Sequence, residues 1–491
     1  MLSREDDAAK TAFYYVLTAA GTSAITATTL GYDVGIMADA AEGIKTHFSI
    51  DDATNELIIG SLNFVSAFGA LLGGPMADRV GRKPTVLLCC ILYLIGTVLM
   101  AGAPSWQVLL LGRIITGLGV GVSFTVCPVY VSEIAPAELR GRLTTLFDIS
   151  INVGILVGYV VGYVCEEAIS NSEAKWRTML GLGLVPPLMV CLCLALLPES
   201  PRYLVMRGKM RKAVEVLTLT LGSEERAREE CESIRYALHG ESKPATPDED
   251  SGGHAPASWS DILMPRTRLM QRALFIVLGL SFWQQATGSE AVLYYSATFL
   301  EKAGLQSKSQ RLLGNMGLGV CKLIPEAVSL IYVDKLGRVK PLILSAVAMT
   351  VLIFLIGFAY VQDWSGMTVV FLLCGFMLSF SIAIGPFTWV VVSEVLPLQM
   401  RAKGTMLGIF LNRLTSGTVA LTALSTADSL GPSTFFFLYT AVSAISIMFY
   451  WRCVPETAGK SLEETEAMLA EMPPLDYCPC HPDGETLLYR L

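Results

Sequence analysis

Asp78-Arg79-Val80-Gly81-Arg82-Lys83-Pro84 comes back in the second half of the chain as Asp334-Lys335-Leu336-Gly337-Arg338-Val339-Lys340-Pro341. Two further motifs repeat at nearly the same offset. Ser132-Glu133, Pro136 and Arg140 return as Ser393-Glu394, Pro397 and Arg401, and Pro198-Glu199-Ser200 returns as Pro455-Glu456-Thr457. The 491 residues are therefore two homologous halves with charged motifs at matching places. Parallel duplication of charged motifs between apolar spans is the pattern of a secondary transporter built from two bundles.

Composition agrees. Hydrophobic residues make up 53% of the chain and charged residues 16%, against roughly 25% charged in a soluble domain; mean hydropathy is +0.53. A bilayer core about 30 Å thick needs about 20 apolar residues per helix. Twelve stretches qualify, at 12–37, 57–77, 84–103, 107–131, 144–165, 177–197, 271–298, 310–333, 340–361, 367–394, 401–424 and 433–453. The expected fold is an all-α membrane protein with two six-helix bundles. The expected domains are 1–198, a cytosolic helical linker at 199–270, a second bundle at 271–454, and a tail at 455–491 with a short helix.

Arg4-Glu5-Asp6-Asp7 is acidic and no secretory signal, so the first span is expected to act as its own insertion signal. With the N-terminus in the cytosol, the basic clusters at 79–83, 140–142, 202–212, 335–340 and 401–403 all fall inside, as the positive-inside rule requires. Both termini are then cytosolic. The net charge of −7 implies no nucleic-acid partner, because the basic residues are membrane-edge anchors. Of the twelve cysteines, Cys89, Cys127, Cys191 and Cys321 lie in apolar spans as small hydrophobes. Cys478, Cys480 and His481 could hold a metal or a lipid, but a disordered tail is the reading preferred, and no metal or cofactor is expected.

Between the halves, 202–240 mixes charge with apolar residues at helical spacing, as surface helices do. Residues 241–257 read as a flexible linker, with a helix starting near Ser258. Ser461 followed by Glu464 is a capping-box start for a helix in the tail.

The motifs resemble the sugar porters of the major facilitator superfamily over residues 12–465. The matching residues are Gly31-Tyr32-Asp33, Asp78-Arg79-Val80-Gly81-Arg82-Lys83, Tyr130 with Ser132-Glu133 and Pro136, Arg140-Gly141, Pro198-Glu199-Ser200-Pro201-Arg202, Gln284-Gln285 with Gly288, Gly385-Pro386 with Trp389, and Pro455-Glu456-Thr457. Trp176-Arg177 and Glu301-Lys302-Ala303-Gly304 carry a finer, weaker likeness to plant-type polyol and monosaccharide symporters. The resemblance implies proton-coupled symport of a small neutral sugar or polyol by alternating access. An uncoupled monosaccharide carrier is the alternative, and a transporter-like sugar sensor a third. No enzyme is expected, for the chain has no nucleophile–base set and only four histidines.

Charges inside a bilayer cost about 2.5–3.5 kcal/mol each on insertion scales, so they are functional candidates. Asp33 and Arg113 fall at one depth near the outer ends of their spans. As a pair they cancel charge, and a proton on Asp33 would release Arg113; a permanent structural salt bridge is the plain alternative. The resemblance favours coupling, since symporters of this family carry the acid where facilitative carriers are neutral.

A substrate rich in hydroxyls needs paired donors and acceptors plus a flat aromatic surface. Gln284 and Gln285 sit near mid-depth of the seventh span, and two adjacent amides there are hard to explain by one helix–helix bond. By resemblance Gln284, Gln285, Tyr294, Trp389 and Asn412 line the cavity, although Trp389 could equally be packing. The chain departs from the hexose pattern at four places. Glu290 stands where hexose carriers have Asn, Asp148 where they have Gln, Lys322 where facilitative carriers have Asn, and Arg413 where they have Trp. Pairing of Glu290 with Lys322, or of Lys322 with Glu326, is expected from charge balance. These charges would favour polyols, inositol or a broad range of substrates, or give a second proton site at Glu290 or Asp148.

Asp78, Arg82, Glu133 and Arg140, with Asp334, Arg338, Glu394 and Arg401, fall at cytosolic helix ends, and Glu199, Arg202 and Glu456 extend the set. They are expected to gate the cytosolic face as well as to anchor topology. Gly117, Gly119 and Gly121 imitate part of a dinucleotide fingerprint but lie in a membrane span, where close helix packing is the better reading. The plasma membrane is the expected location. Asp483 with Leu487-Leu488, which resembles an acidic dileucine signal, is the pointer to an internal membrane instead.

Overall fold

The computed structural model describes residues 2–135, 137–239, 259–265, 267–397 and 399–471, with the side chains of 2–13, 137–142 and some others excepted. Twelve long helical segments cross the molecule. They are α1 (Leu2–Phe48), α2 (Asp52–Val80), α3 (Arg82–Ala101), α4 (Trp106–Ile134), α5 (Ala137–Ala168) and α6 (Ser172–Leu196), then α7 (Arg268–Ala286 and Ser289–Lys302), α8 (Lys308–Leu336), α9 (Val339–Val361), α10 (Gly366–Val395), α11 (Arg401–Leu430) and α12 (Pro432–Cys453). Among the described residues, nine of these are long and apolar enough by themselves to cross a membrane. The other three, α1, α7 and α8, hold Asp33, Gln284 to Glu290, and Lys322.

The two halves make equivalent contacts. Helix α2 packs along α11, and α5 packs along α8. Since α8 repeats α2 and α11 repeats α5, these seams are exchanged by a pseudo-twofold axis between the bundles. Close crossings use small residues, as membrane bundles do. A Cβ on Gly117 would stand 2.7 Å from the Leu62 carbonyl oxygen, and one on Gly121 2.0 Å from that of Ser66, so α4 and α2 touch backbone to backbone where the sequence imitates a nucleotide loop. Large apolar side chains such as Leu192, Leu344 and Phe371 point outward, as a lipid-facing surface requires.

Three helices depart from the expected spans. Helix α1 does not stop at 37 but continues to Phe48. Its polar residues Asp39 and Glu42 ended the apolar run without ending the helix, because they meet the other half instead of lipid. Helix α7 breaks at Thr287-Gly288, where Gly288 takes a φ of +89° that side chains resist. Helix α10 breaks at Ala383, upstream of Gly385-Pro386. Pro386 has no N–H for the Ile382 carbonyl four residues back. Ser329 Oγ on α8 donates to that carbonyl instead.

Short helices at Pro201–Met206, Met210–Leu221 and Glu224–His239 share a small core of Leu204, Ala213, Leu217, Ala227 and Cys231. A further helix runs over Trp259–Leu263; Ser258, residues 241–257, and the cysteines, histidine and dileucine of the tail lie outside the described residues. The tail helix Leu462–Glu471 has the expected cap: Ser461 N donates to Glu464 Oε2 at 2.8 Å and Glu464 N to Ser461 Oγ at 3.2 Å.

Candidate functional site: a buried ion pair and an amide cluster between two bundles

The four helices α1, α2, α4 and α7 connect a charged pair to a buried polar cluster. Arg113 on α4 is fully buried. It donates through Nη1 to Asp33 Oδ2 on α1, through Nε to the Ile58 carbonyl at 3.0 Å and through Nη2 to the Ile59 carbonyl at 2.8 Å. One guanidinium thus ties α1 to α4 and grips α2. One turn along α2, Asn63 Nδ2 donates to the Tyr294 hydroxyl at 3.2 Å. Tyr294 belongs to α7, in the other half.

Around Tyr294 the expected amides converge. Asn412 on α11 is their hub. Its Nδ2 donates to Gln284 Oε1 at 2.7 Å and to the Ser281 carbonyl at 3.0 Å. Its Oδ1 accepts from Gln285 Nε2 at 3.3 Å and from Arg413 Nε and Nη2 at 3.1 and 2.7 Å. Gln284 Nε2 reaches α10, donating to the carbonyls of Ile384 at 3.2 Å and Gly385 at 2.8 Å. It therefore holds the broken backbone of α10 that leads to Trp389. Both glutamines are buried in the protein interior, away from the lipid face.

Satisfaction is incomplete on one side. Gln285 Oε1, Glu290 Oε2 and Asn63 Oδ1 are buried without a hydrogen-bond partner. Each is an acceptor, and unmade bonds of this kind cost about 1–3 kcal/mol in a protein interior. Acceptors on α2 and α7, from both halves, suit a ligand that brings O–H donors.

The extra charges pair differently from the sequence expectation. Glu290 and Lys322 make no ion pair, and neither do Lys322 and Glu326. Lys322 lies over the Phe380 ring at 4.7 Å, and Arg413 over the Phe124 ring at 4.9 Å. Asp148 on α5 is half-buried, and its backbone carbonyl accepts from Asn152 Nδ2 at 3.3 Å. Aromatic faces took over part of the charge compensation, and composition gives no sign of that. Trp389 is half-buried one turn beyond Gly385.

Charged clusters at the basic end of the bundles match across the pseudo-twofold. Arg82 holds Glu133 with two bonds, at 2.9 and 3.0 Å, and reaches Asp78 at 3.1 Å. Glu199 accepts from the backbone N–H groups of Arg82 at 3.0 Å and Lys83 at 3.1 Å. In the second half Arg338 holds Glu394 at 3.2 and 2.7 Å, and Glu456 accepts from the N–H groups of Arg338 and Val339. Arg401 donates to the Leu396 carbonyl of its own half, and Arg202 is exposed. The side chains of Arg140 and Asp334 lie outside the described residues. The bonds named here stay within one half, so they frame each bundle and do not join the two.

The joining bonds cluster at the opposite end. Asn315 Nδ2 donates to Asp39 Oδ1 at 2.8 Å, Lys308 pairs with Glu166 at 3.0 Å, and Ser309 Oγ donates to Glu167 at 2.5 Å. Glu56 on α2 accepts from Leu424 and Ser425 on α11. Sequence reasoning missed Asn63, Asp39, Asn315 and Glu56. Each is a polar residue in an apolar helix, and that was the available signal.

Two bundles that meet at a buried cluster of polar side chains define a major facilitator fold. Comparison with known proteins agrees. The family model "Sugar (and other) transporter" matches residues 19–469. "Probable polyol transporter 4" of Arabidopsis thaliana is 36% identical over 460 residues, covering 92% of this chain and 85% of that one. The structure of the proton:xylose symporter XylE bound to 6-bromo-6-deoxy-D-glucose superposes with a TM-score of 0.75 at 25% identity, covering 93% of this chain and 99% of that one. The inward open conformation of the xylose transporter XylE from E. coli gives a TM-score of 0.78 at 24% identity, covering 92% of this chain and all of that one. The chain belongs to the sugar (and other) transporter family.

Proposed function

We propose that the protein is a proton-coupled symporter of a sugar or polyol that works by alternating access. The observation that carries this reading is the unbroken line from Asp33 through Arg113 and the Ile58–Ile59 turn of α2 to Asn63 and Tyr294. A proton on Asp33 removes the charge that holds Arg113. The grip on α2 then loosens, and α2 carries the residue that touches the pocket wall. The relatives' names, a polyol transporter and a proton:xylose symporter, support the same substrate class and ion.

In this reading Gln285, Glu290 and Tyr294 bind hydroxyls, while Asn412 and Gln284 position them. Trp389 supplies the flat face, and Asp148, Lys322 and Arg413 tune the pocket toward polyols. The boundaries 1–198, 199–270, 271–454 and 455–491 stand as the domain division. The basic end is cytosolic by the positive-inside rule, with both termini there and the plasma membrane as residence. The bonds across the opposite, outer end then make this an outer-closed state. The Arg82 and Arg338 clusters, with Arg140 and Arg401, serve as the cytosolic gate only when the cytosolic ends approach each other. Catalysis of a covalent step is no part of the proposal.

Uptake of labelled sorbitol, myo-inositol, xylose and glucose by carrier-deficient cells, with and without a protonophore, tests it. Accumulation that the protonophore abolishes supports symport. Equilibration that ignores the protonophore means a facilitative carrier, and binding without uptake means a sensor.

A further inference from the structure

One turn of α11 is engaged from both halves of the protein at once. In an undisturbed helix the Leu424 N–H pairs with the Ala420 carbonyl. Here Tyr295 on α7 donates its hydroxyl to the Ala420 carbonyl at 2.6 Å. Glu56 on α2 accepts from Leu424 N, from Ser425 N at 2.9 Å and from Ser425 Oγ. Both ends of the same ladder bond are thus addressed, one from each bundle.

Packing at this crossing is tight. A Cβ on Gly60 would stand 2.6 Å from Leu421 Cγ, and one on Gly417 2.4 Å from the Phe64 backbone nitrogen. Glu56 is 1% exposed and Tyr295 2%. No ion pair of Glu56 with Lys or Arg occurs among the described residues, and both of its carboxyl oxygens are held by α11 donors. Opening the outer end must part α2 from α11 here, and that removes all three donors together.

We infer that Glu56 is a positioning residue of the transport cycle: it clasps the Leu424–Ser425 turn of α11 to hold the outer end closed, and with Tyr295 it sets the α7 segment that carries Glu290 and Tyr294. Charge-assisted bonds to backbone N–H groups are strong where water is excluded. The clasp therefore favours the closed outer state and fixes the pocket wall in it. Tyr295 follows Tyr294 directly, so α11, the outer seam and the pocket wall move as one piece. The inference rests on alternating access and needs neither the substrate's identity nor proton coupling.

The experiment is external labelling of Thr298→Cys, on the segment of α7 beyond Tyr295, by a membrane-impermeant maleimide in intact cells, with the parent chain as background. Glu56→Ala is expected to raise the labelling rate severalfold, Glu56→Gln to raise it less, and Tyr295→Phe to raise it with less than additive effect in combination with Glu56→Ala. For Glu56→Ala that still takes up substrate, the apparent KM from outside should shift more than the maximal rate. Labelling at the parental rate in a Glu56→Ala protein with parental thermal stability would overturn the inference. If Glu56→Ala does not fold, Ser425→Ala, which removes one donor only, decides between the same two outcomes. Labelling needs no gradient or substrate, so a failure here is separate from a failure of symport.

Discussion

Asn63 of α2 donates to the hydroxyl of Tyr294 of α7, and this bond at 3.2 Å joins the half that holds Asp33 and Arg113 to the polar cluster of the other half. Asn63 lies on the helix whose Ile58 and Ile59 carbonyls Arg113 holds. The Asp33–Arg113 pair and the polar cluster thus meet α2 within little more than one helical turn, and a shift of α2 reaches both.

Asp33→Asn keeps the shape of the side chain and removes its charge. Uphill uptake is expected to be lost, while exchange of labelled for unlabelled substrate across the membrane persists. Counterflow and net accumulation measured on the same cells check this. Accumulation under an inward proton gradient by the variant would show that Asp33–Arg113 is a structural bridge.

Gln284→Ala removes the donor that serves the Ile384 and Gly385 carbonyls and the acceptor for Asn412. Buried groups left unmade cost about 1–3 kcal/mol. The melting temperature in detergent is expected to fall, and the maximal uptake rate with it, since the α10 break loses its brace. Gln285→Ala should instead raise KM with a smaller change in melting temperature, because it gives up only the 3.3 Å bond from Nε2 to Asn412 while its Oε1 has no protein partner to lose.

Glu290→Asn introduces the amide that the resemblance to hexose carriers implies for this position. The ratio of polyol to hexose uptake across a substrate panel is expected to fall, chiefly through KM for the polyol. An unchanged ratio would remove Glu290 from selectivity.

Arg82→Ala and Arg338→Ala test the frames of the two halves. Breaking a buried pair from one side costs about 3–5 kcal/mol. The Glu133 side chain is 8% exposed and that of Glu394 24%. Arg82→Ala should therefore destabilise more than Arg338→Ala in thermal unfolding. Asp78→Ala, at a side chain 57% exposed, should change little.

Much of this architecture was legible in the sequence for a simple reason: lipid forces long apolar runs, and a duplicated motif marks equivalent ends twice. The amide cluster was legible too, because Gln284 and Gln285 had no reason to be in an apolar helix. What could not be read depended on geometry between helices. Lys322 and Arg413 rest on Phe380 and Phe124, and aromatic side chains are common enough in such spans to give no signal. The α10 break fell at Ala383 because proline acts on the carbonyl four residues back. Helix α1 outran its apolar stretch because Asp39 and Glu42 face protein, and hydropathy counts them as though they faced lipid.

Purified protein in sealed liposomes, given sorbitol outside under weak buffering, reports proton movement most directly. Sorbitol should alkalinise the outer medium as it enters, in proportion to the sorbitol taken up, and Asp33→Asn should abolish the signal. Sorbitol uptake by the unmodified protein with no change of external pH would contradict proton coupling through Asp33 and Arg113.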